Sequence, residues 1–257
     1  MVISEHYSGF PRGLVRGLRR LEAKFALEGA ALVLPVSENL KGHLEAYGIR
    51  ARFQVVPNVV DTALFSPQSR DPGPQSRTGQ KQLLLVATLT PIKGVPYLLK
   101  ALALLRNHRD DFRLDIVGDG PNRVEYEQLA GRLNLAEIVR FRGLKRKPEV
   151  AECMKQADFF VLPSLWENLP TVLIEALASG LPVVASRVGG IPEIVDETRG
   201  ILVPPGDAEA LAQVLDEMLD HYRDYRSAEL ARDAQERFGY ETVGRMLDGI
   251  YHRVVRG

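Results

Sequence analysis

The chain has 257 residues, 45% apolar and 26% charged, with 33 Lys+Arg against 33 Asp+Glu. That length holds one large domain or two small ones, and the balanced charge argues against a dedicated nucleic-acid binder. A single cysteine, Cys153, excludes an internal disulfide and a cysteine-rich metal site and fits a reducing compartment.

The N-terminal part alternates strand and helix. Met1 to Ser4 reads as the end of a strand and Arg12 to Leu27 as a helix. Arg12, Arg16, Arg19, Arg20 and Lys24 would then form a basic stripe on one side of it. Such a stripe is either a solvated face or a contact for phosphate groups or an anionic lipid surface. Ala31 to Pro35 is a short strand, and Ser37 caps a helix from Glu38 to Tyr47. Arg52 to Val56 is another strand, closed by Pro57-Asn58. The polar, Pro/Gly/Ser-rich text from 67 to 82 reads as a linker.

A regular α/β series follows. Strands are expected at Leu83 to Leu89, Phe112 to Val117, Ile138 to Phe141, Phe159 to Leu162, Pro182 to Ala185 and Ile201 to Val203. The helices between and after them run Val95 to Arg106, Arg123 to Leu133, Glu149 to Lys155, Thr171 to Ser179, Ala208 to Tyr222 and Ala228 to Val255. Short apolar strands separated by helices favour a parallel sheet covered on both faces, with ligands beyond the strands' carboxyl ends. The fold class is therefore α/β: a nearly complete Rossmann-like domain over 83–232, preceded by a partial α/β unit over 1–66. A last helical segment covers 233–257.

Six features could carry chemistry. The run from Ser164 to Ser186 places Glu167 in the loop after a strand and Glu175 on the following helix, around Pro170 at the helix start. The free amides near Asn168, Leu169 and Thr171 offer a partial positive pole for an oxygen-rich ligand. A carboxylate accepts two hydrogen bonds from a vicinal diol, so Glu175 suits a ribose and Glu167 a sugar hydroxyl. The competing reading is an acidic loop and a solvated helical glutamate. Lys93-Gly94 opens a helix, where the lysine can neutralise a diphosphate or stand as an ordinary surface residue. Gly118 and Gly120 make a tight strand-to-helix turn that lacks the three-glycine dinucleotide fingerprint. Gly189-Gly190 would leave backbone N–H groups free for phosphate or a hydroxyl, or form a plain turn. His6 stands just past the first strand, while His43, His108, His221 and His252 show no metal-ligand spacing. The sixth feature is the basic stripe.

Together these pieces resemble the retaining GT-B glycosyltransferases of the large fourth family, the group 1 glycosyl transferases. The resemblance rests on Glu167 and Glu175 followed by Ala176, Gly180, Pro182, Val183 and Val184. It rests also on PNVVDTALFSP (Pro57 to Pro67), Lys93-Gly94, VGDGP (Val117 to Pro121), ADFFVLPS (Ala157 to Ser164) and GGIPEIV (Gly189 to Val195). It implies a nucleotide diphosphate sugar as donor, a glycan, lipid-linked or polysaccharide acceptor, and no bound metal or permanent cofactor. By the resemblance Glu175 binds the ribose and Glu167 the donor sugar, with the amides of Asn168 and Leu169 assisting. Lys93 holds the diphosphate, His6 faces donor sugar and acceptor, and the Gly118 to Gly120 turn lies near the nucleotide.

It further implies retention of configuration by front-face attack, and a cytoplasmic setting, at the inner face of a membrane with peripheral contact. Two departures stand out. Where such enzymes carry an arginine in a Gly-Arg-Leu, this chain reads Ala87-Thr88-Leu89, and Thr88 offers one hydrogen bond in place of a cation. The chain also starts near the end of the usual N-terminal domain, which suggests a missing segment or a partner chain. The alternatives are a nucleotide-sugar-binding module without transfer, a nicotinamide-dependent oxidoreductase and a nucleotide-sugar epimerase.

Overall fold

The computed structural model describes residues 1–67 and 79–256. Most of the expected linker, 67–82, lies outside the described residues. The first strands are β1 (Val2–Glu5) and β2 (Leu32–Pro35), paired in parallel and joined through helix α1 (Leu18–Glu28). Helix α2 (Glu38–Ala46) follows, with Ser37 accepting from the Leu40 amide as the N-cap.

The second sheet has six strands: β3 (Lys81–Val86), β4 (Phe112–Val117), β5 (Val139–Gly143), β6 (Phe159–Leu162), β7 (Val183–Ser186) and β8 (Gly200–Val203). All are parallel, in the order β5-β4-β3-β6-β7-β8. Every residue of β6 and β7 is buried, as expected of central strands covered on both faces. The helices α3 (Val95–Leu105), α4 (Arg123–Arg132), α5 (Lys147–Gln156), α6 (Thr171–Ala178), α7 (Ala208–His221), α8 (Ser227–Phe238) and α9 (Tyr240–Arg256) supply that cover. Helix α3 packs against α7, and α6 against α8.

The strand order decides where a ligand can sit. From β3 the chain builds outward through β4 to β5, then α5 carries it back to β6 on the other side of β3. The carboxyl ends of β3 and β6 therefore mark the point where the strand order reverses, the topological switch point at which such sheets bind ligands. The Rossmann-like expectation for this part of the chain holds.

Three expectations fail, each for a local reason. The helix expected from Arg12 begins only at Leu18, because Gly13 and Gly17 adopt positive φ (65° and 57°) and turn the chain. Arg12 and Arg16 therefore lie on a loop and share no helical face with Arg19, Arg20 and Lys24. The segment Arg52 to Val56 is extended and hydrogen-bonds to β2, but it makes only one ladder bridge, Val33 to Phe53. The long terminal helix is two helices, broken at Gly239, whose extended backbone (φ −65°, ψ 151°) pairs with Val60. Among the described residues, no helix is long and apolar enough to cross a membrane.

That break aims α9 back across the first unit. Val243 and Ile250 of α9 bury themselves against Leu34 of β2 and Val56, flanked by Val2 and Met246. Arg253 adds a hydrogen bond to Gln54 (3.0 Å). The two-stranded sheet is too small to be stable alone; this apolar seam covers one face of it, and Val33 and Ile3 join the main core on the other. Ile250→Ala is expected to cost about 2–5 kcal/mol at this fully buried position. Hydrogen exchange should quicken in β1 and β2 while β3 to β7 keep their protection.

Candidate functional site

Two loops at the switch point bring the sequence-selected charges together. After β3 the chain runs through a short 3-10 turn, Pro91–Lys93, which ends at Gly94 with φ 67°. A side chain at Gly94 would collide with the Pro163 carbonyl, so this glycine lets the β3 loop lie directly on the loop after β6. The Leu165 amide donates to the Ile92 carbonyl across the same junction (2.7 Å). Lys93 Nζ thereby comes within 2.6 Å of Glu167 Oε1.

Glu167 is only 8% exposed, and its Oε1 also accepts from Ser164 Oγ (2.7 Å). A buried carboxylate needs such partners, and charge-assisted hydrogen bonds are the strong ones. Lys93 has three N–H donors, and one bond to Glu167 leaves two for a ligand. The backbone N–H groups of Asn168 and Leu169 make no hydrogen bond among the described residues. They stand just ahead of α6, where the helix dipole favours negative charge.

Asn168 is oriented from the other unit. Its Nδ2 donates to the His6 carbonyl (2.7 Å), which leaves the buried Oδ1 without a partner among the described residues. An unpaired buried acceptor is costly, and this oxygen is closed off from solvent. Asn58 closes the same junction by donating to the Leu169 carbonyl (2.7 Å). Between these groups lies a cavity of about 300 Å³, lined by His6, Ser8 and Arg12 on one side and Lys93, Trp166 and Glu167 on the other. His6 is exposed, with Nε2 2.8 Å from Ser4 Oγ.

The remaining predicted residues fall elsewhere. Glu175 does not line this cavity. It faces Lys147 at the start of α5 (3.8 Å) and is 8% exposed, so the solvated-glutamate reading is overturned. Burial pushes its carboxyl above the ordinary value, and Lys147 partly offsets this. Thr88 is exposed at the end of the β3 segment. Gly118 and Gly120 press against the backbone of Ala87 and Leu89, which is reason enough for both glycines. The Gly190 amide is not free, as expected, but donates to the Asn168 carbonyl (2.7 Å), while Gly189 abuts the Glu167 carbonyl. The paired glycines thus brace the Glu167 loop from beneath. Among the described residues, no cluster of His, Cys, Asp or Glu could hold a metal ion.

Residues 68–237 match the family described as Glycosyl transferases group 1. The chain belongs to this family. Among curated members it is 33% identical over 208 residues to an MMP alpha-(1->4)-mannosyltransferase of Mycolicibacterium hassiacum, covering 79% of this chain and 49% of that protein. The chain spans about half the length of the curated relatives it matches. Among solved structures, a sucrose-phosphate synthase from Thermosynechococcus elongatus superposes with a TM-score of 0.86 at 27% identity, over 99% of this chain and 68% of that one. Anabaena HepE in complex with UDP superposes with a TM-score of 0.87 at 23% identity, over 98% and 72%. The GT-B fold of this family member is thereby established, with its six-stranded parallel sheet and its two-stranded N-terminal sheet.

Ser8, Asn58 and Trp166 line the cavity and Lys147 faces Glu175 without having been singled out from the motifs, although Ser8 and Trp166 stand beside His6 and Glu167 in the sequence. Asn58 carried a signal, since it lies inside the family-like PNVVDTALFSP run. For Glu175 the sign of its stability effect follows from the raised carboxyl. The folded state holds that proton more tightly than the unfolded state, so its contribution declines as pH rises past the ordinary carboxylate range. Glu175→Gln should therefore leave thermal stability at pH 7 unchanged or higher than wild type, with the difference vanishing below about pH 4, as read by melting curves across pH.

Proposed function

We propose that this chain is the donor-binding part of a retaining glycosyltransferase that uses a nucleotide diphosphate sugar. The observation that carries the proposal is the Lys93–Glu167 pair at the switch point, beside two backbone amides that are unbonded among the described residues. A diphosphate needs cations and N–H donors, and a sugar needs a carboxylate acceptor. Both sets converge here within a cavity of about 300 Å³.

In this reading Lys93 gives its two remaining N–H groups to the donor diphosphate, joined by the amides of Asn168 and Leu169. Glu167 accepts from a hydroxyl of the donor sugar. Glu175 accepts from the ribose, a role that requires the exposed Lys147 side chain to move aside. Thr88 adds one hydrogen bond at the edge, and the Gly118 to Gly120 turn flanks the nucleotide. His6 faces the donor sugar and the incoming acceptor.

The bond between the anomeric carbon and the diphosphate breaks as the acceptor hydroxyl bonds to the same face of that carbon. The acceptor's proton passes to the departing phosphate oxygen, so configuration is retained. Stabilising that leaving group is electrostatic work, done by Lys93 and preorganised amides. The acceptor is a glycan, lipid-linked or polysaccharide hydroxyl. The UDP held by the Anabaena structure of this fold supports a nucleoside diphosphate as ligand.

Calorimetric titration with UDP, GDP, ADP and NAD tests the reading. One nucleoside diphosphate should bind in preference to NAD. Lys93→Met should weaken it by about 1.5–3 kcal/mol, the worth of a charged hydrogen bond. Glu175→Gln should weaken it on the order of ten-fold while the melting temperature at pH 7 holds. Undiminished binding by both variants would remove the assignment.

A further inference from the structure

The charges around the cavity do not balance. Its ionisable lining consists of His6, Arg12, Lys93 and Glu167. Lys93 and Glu167 neutralise one another at 2.6 Å. Arg12 has no salt bridge or side-chain hydrogen bond among the described residues, which leaves one fixed positive charge facing the space. A guanidinium lining a cavity without an acidic partner favours an anion, and its planar fork matches the geometry of phosphate oxygens.

Its backbone is already in place. Arg12 sits on a compact turn in which the Leu14 amide donates to the Gly9 carbonyl (2.8 Å) and the Gly13 amide to the Phe10 carbonyl (3.0 Å). Phe10 and Val15 anchor the two ends of the turn in the core, and the Phe10 ring packs edge-on against Tyr47 at 5.5 Å. Arg16 ties the turn further by donating to the Gly13 carbonyl (2.6 Å). Ordering Arg12 on a ligand therefore restricts one side chain and leaves the loop as it is. Thr88 does not line the cavity, and among the described residues Lys93 is the one cation that the large sheet's loops contribute to its lining.

We infer that Arg12 is a phosphate-binding residue of this cavity, reaching from the N-terminal unit toward an anionic oxygen that the Glu167-paired Lys93 leaves uncompensated. The inference rests on the donor-site reading above. The phosphate belongs either to the donor's diphosphate or to a phosphorylated acceptor. The recognising chemistry is the same for both, and the experiment separates them.

The wild-type chain and Arg12→Met are titrated with UDP, GDP and ADP, with the matching nucleosides, and with glucose 6-phosphate and inorganic phosphate. The phosphates are tested both alone and with saturating nucleoside diphosphate. Arg12 is exposed and unbonded, so the variant should melt with the wild type. Loss of on the order of ten-fold or more in nucleoside diphosphate affinity, with nucleoside affinity unchanged, assigns Arg12 to the donor. Unchanged diphosphate affinity with a like loss for glucose 6-phosphate or inorganic phosphate assigns it to the acceptor. Arg12→Lys should recover part of either loss, because it restores the charge without the fork. Wild-type affinity of Arg12→Met for every probe overturns the inference. If the wild-type chain binds no nucleoside diphosphate, the donor-site reading is what fails. Arg12 is then judged on glucose 6-phosphate and inorganic phosphate alone, where binding lost in Arg12→Met supports the inference and no Arg12-dependent binding overturns it.

Discussion

The ion pair between Lys93 and Glu167 joins the two loops that meet at the switch point of the large sheet, and the site is organised around it. A carboxylate this buried is stable only with partners, and Lys93 and Ser164 both serve it. Lys93 is placed by the turn after β3 and Glu167 by the loop after β6, and the backbone contact between the two loops brings the pair together. The pair gives the site its character, a cation with donors to spare beside a carboxylate with acceptor capacity. Backbone close contacts at Gly94 and Gly189 make the geometry permissible, because any side chain there would push the loops apart.

The second constraint is the clamp between the two units, built from polar groups that serve structure and site at once. Asn168 reaches the His6 carbonyl and Asn58 reaches the Leu169 carbonyl. Glu193, from the turn after Gly189-Gly190, accepts from the Glu38 and Asn39 amides at the start of α2 (2.9 and 2.8 Å). That carboxylate works with Ser37 to satisfy donors that a helix start leaves open. Helix α9 completes the attachment with an apolar seam from behind. His6 and Arg12 are thus presented to Lys93 and Glu167 by a unit whose own sheet has two strands.

Much of this was legible in the residues. The alternation of short apolar strands and helices gave the parallel sheet, with β4 and β6 at their observed limits, because buried strands bounded by turn residues have few other readings. Ser37 showed itself as a cap. Lys93, Glu167, Asn168, Leu169 and His6 stand at strand ends, where the fold class puts ligands, and they do converge. What stayed hidden depends on distant contacts. The spacing of Arg12, Arg16, Arg19 and Lys24 mimics a helical face, yet Gly13 and Gly17 turn the chain before the helix begins. Gly239 sits inside a helical pattern, and its pairing with Val60 was invisible to periodicity. Glu175 could be read as a ribose contact or a solvated helix residue, and only the structure shows it buried and facing Lys147. Gly189-Gly190 could be an anion nest or a plain turn, and the structure shows a turn that braces the neighbouring loop.

The central claim is that the Lys93–Glu167 crevice is a nucleoside diphosphate site with Glu175 at its ribose end. A crystal structure of the chain with its preferred nucleoside diphosphate bound tests that most directly. The account predicts the diphosphate on Lys93 Nζ and the Asn168 and Leu169 amides, the ribose hydroxyls on Glu175, and Lys147 displaced from it. A nucleotide bound elsewhere, or one lying in the crevice with Glu175 still paired to Lys147, would contradict it.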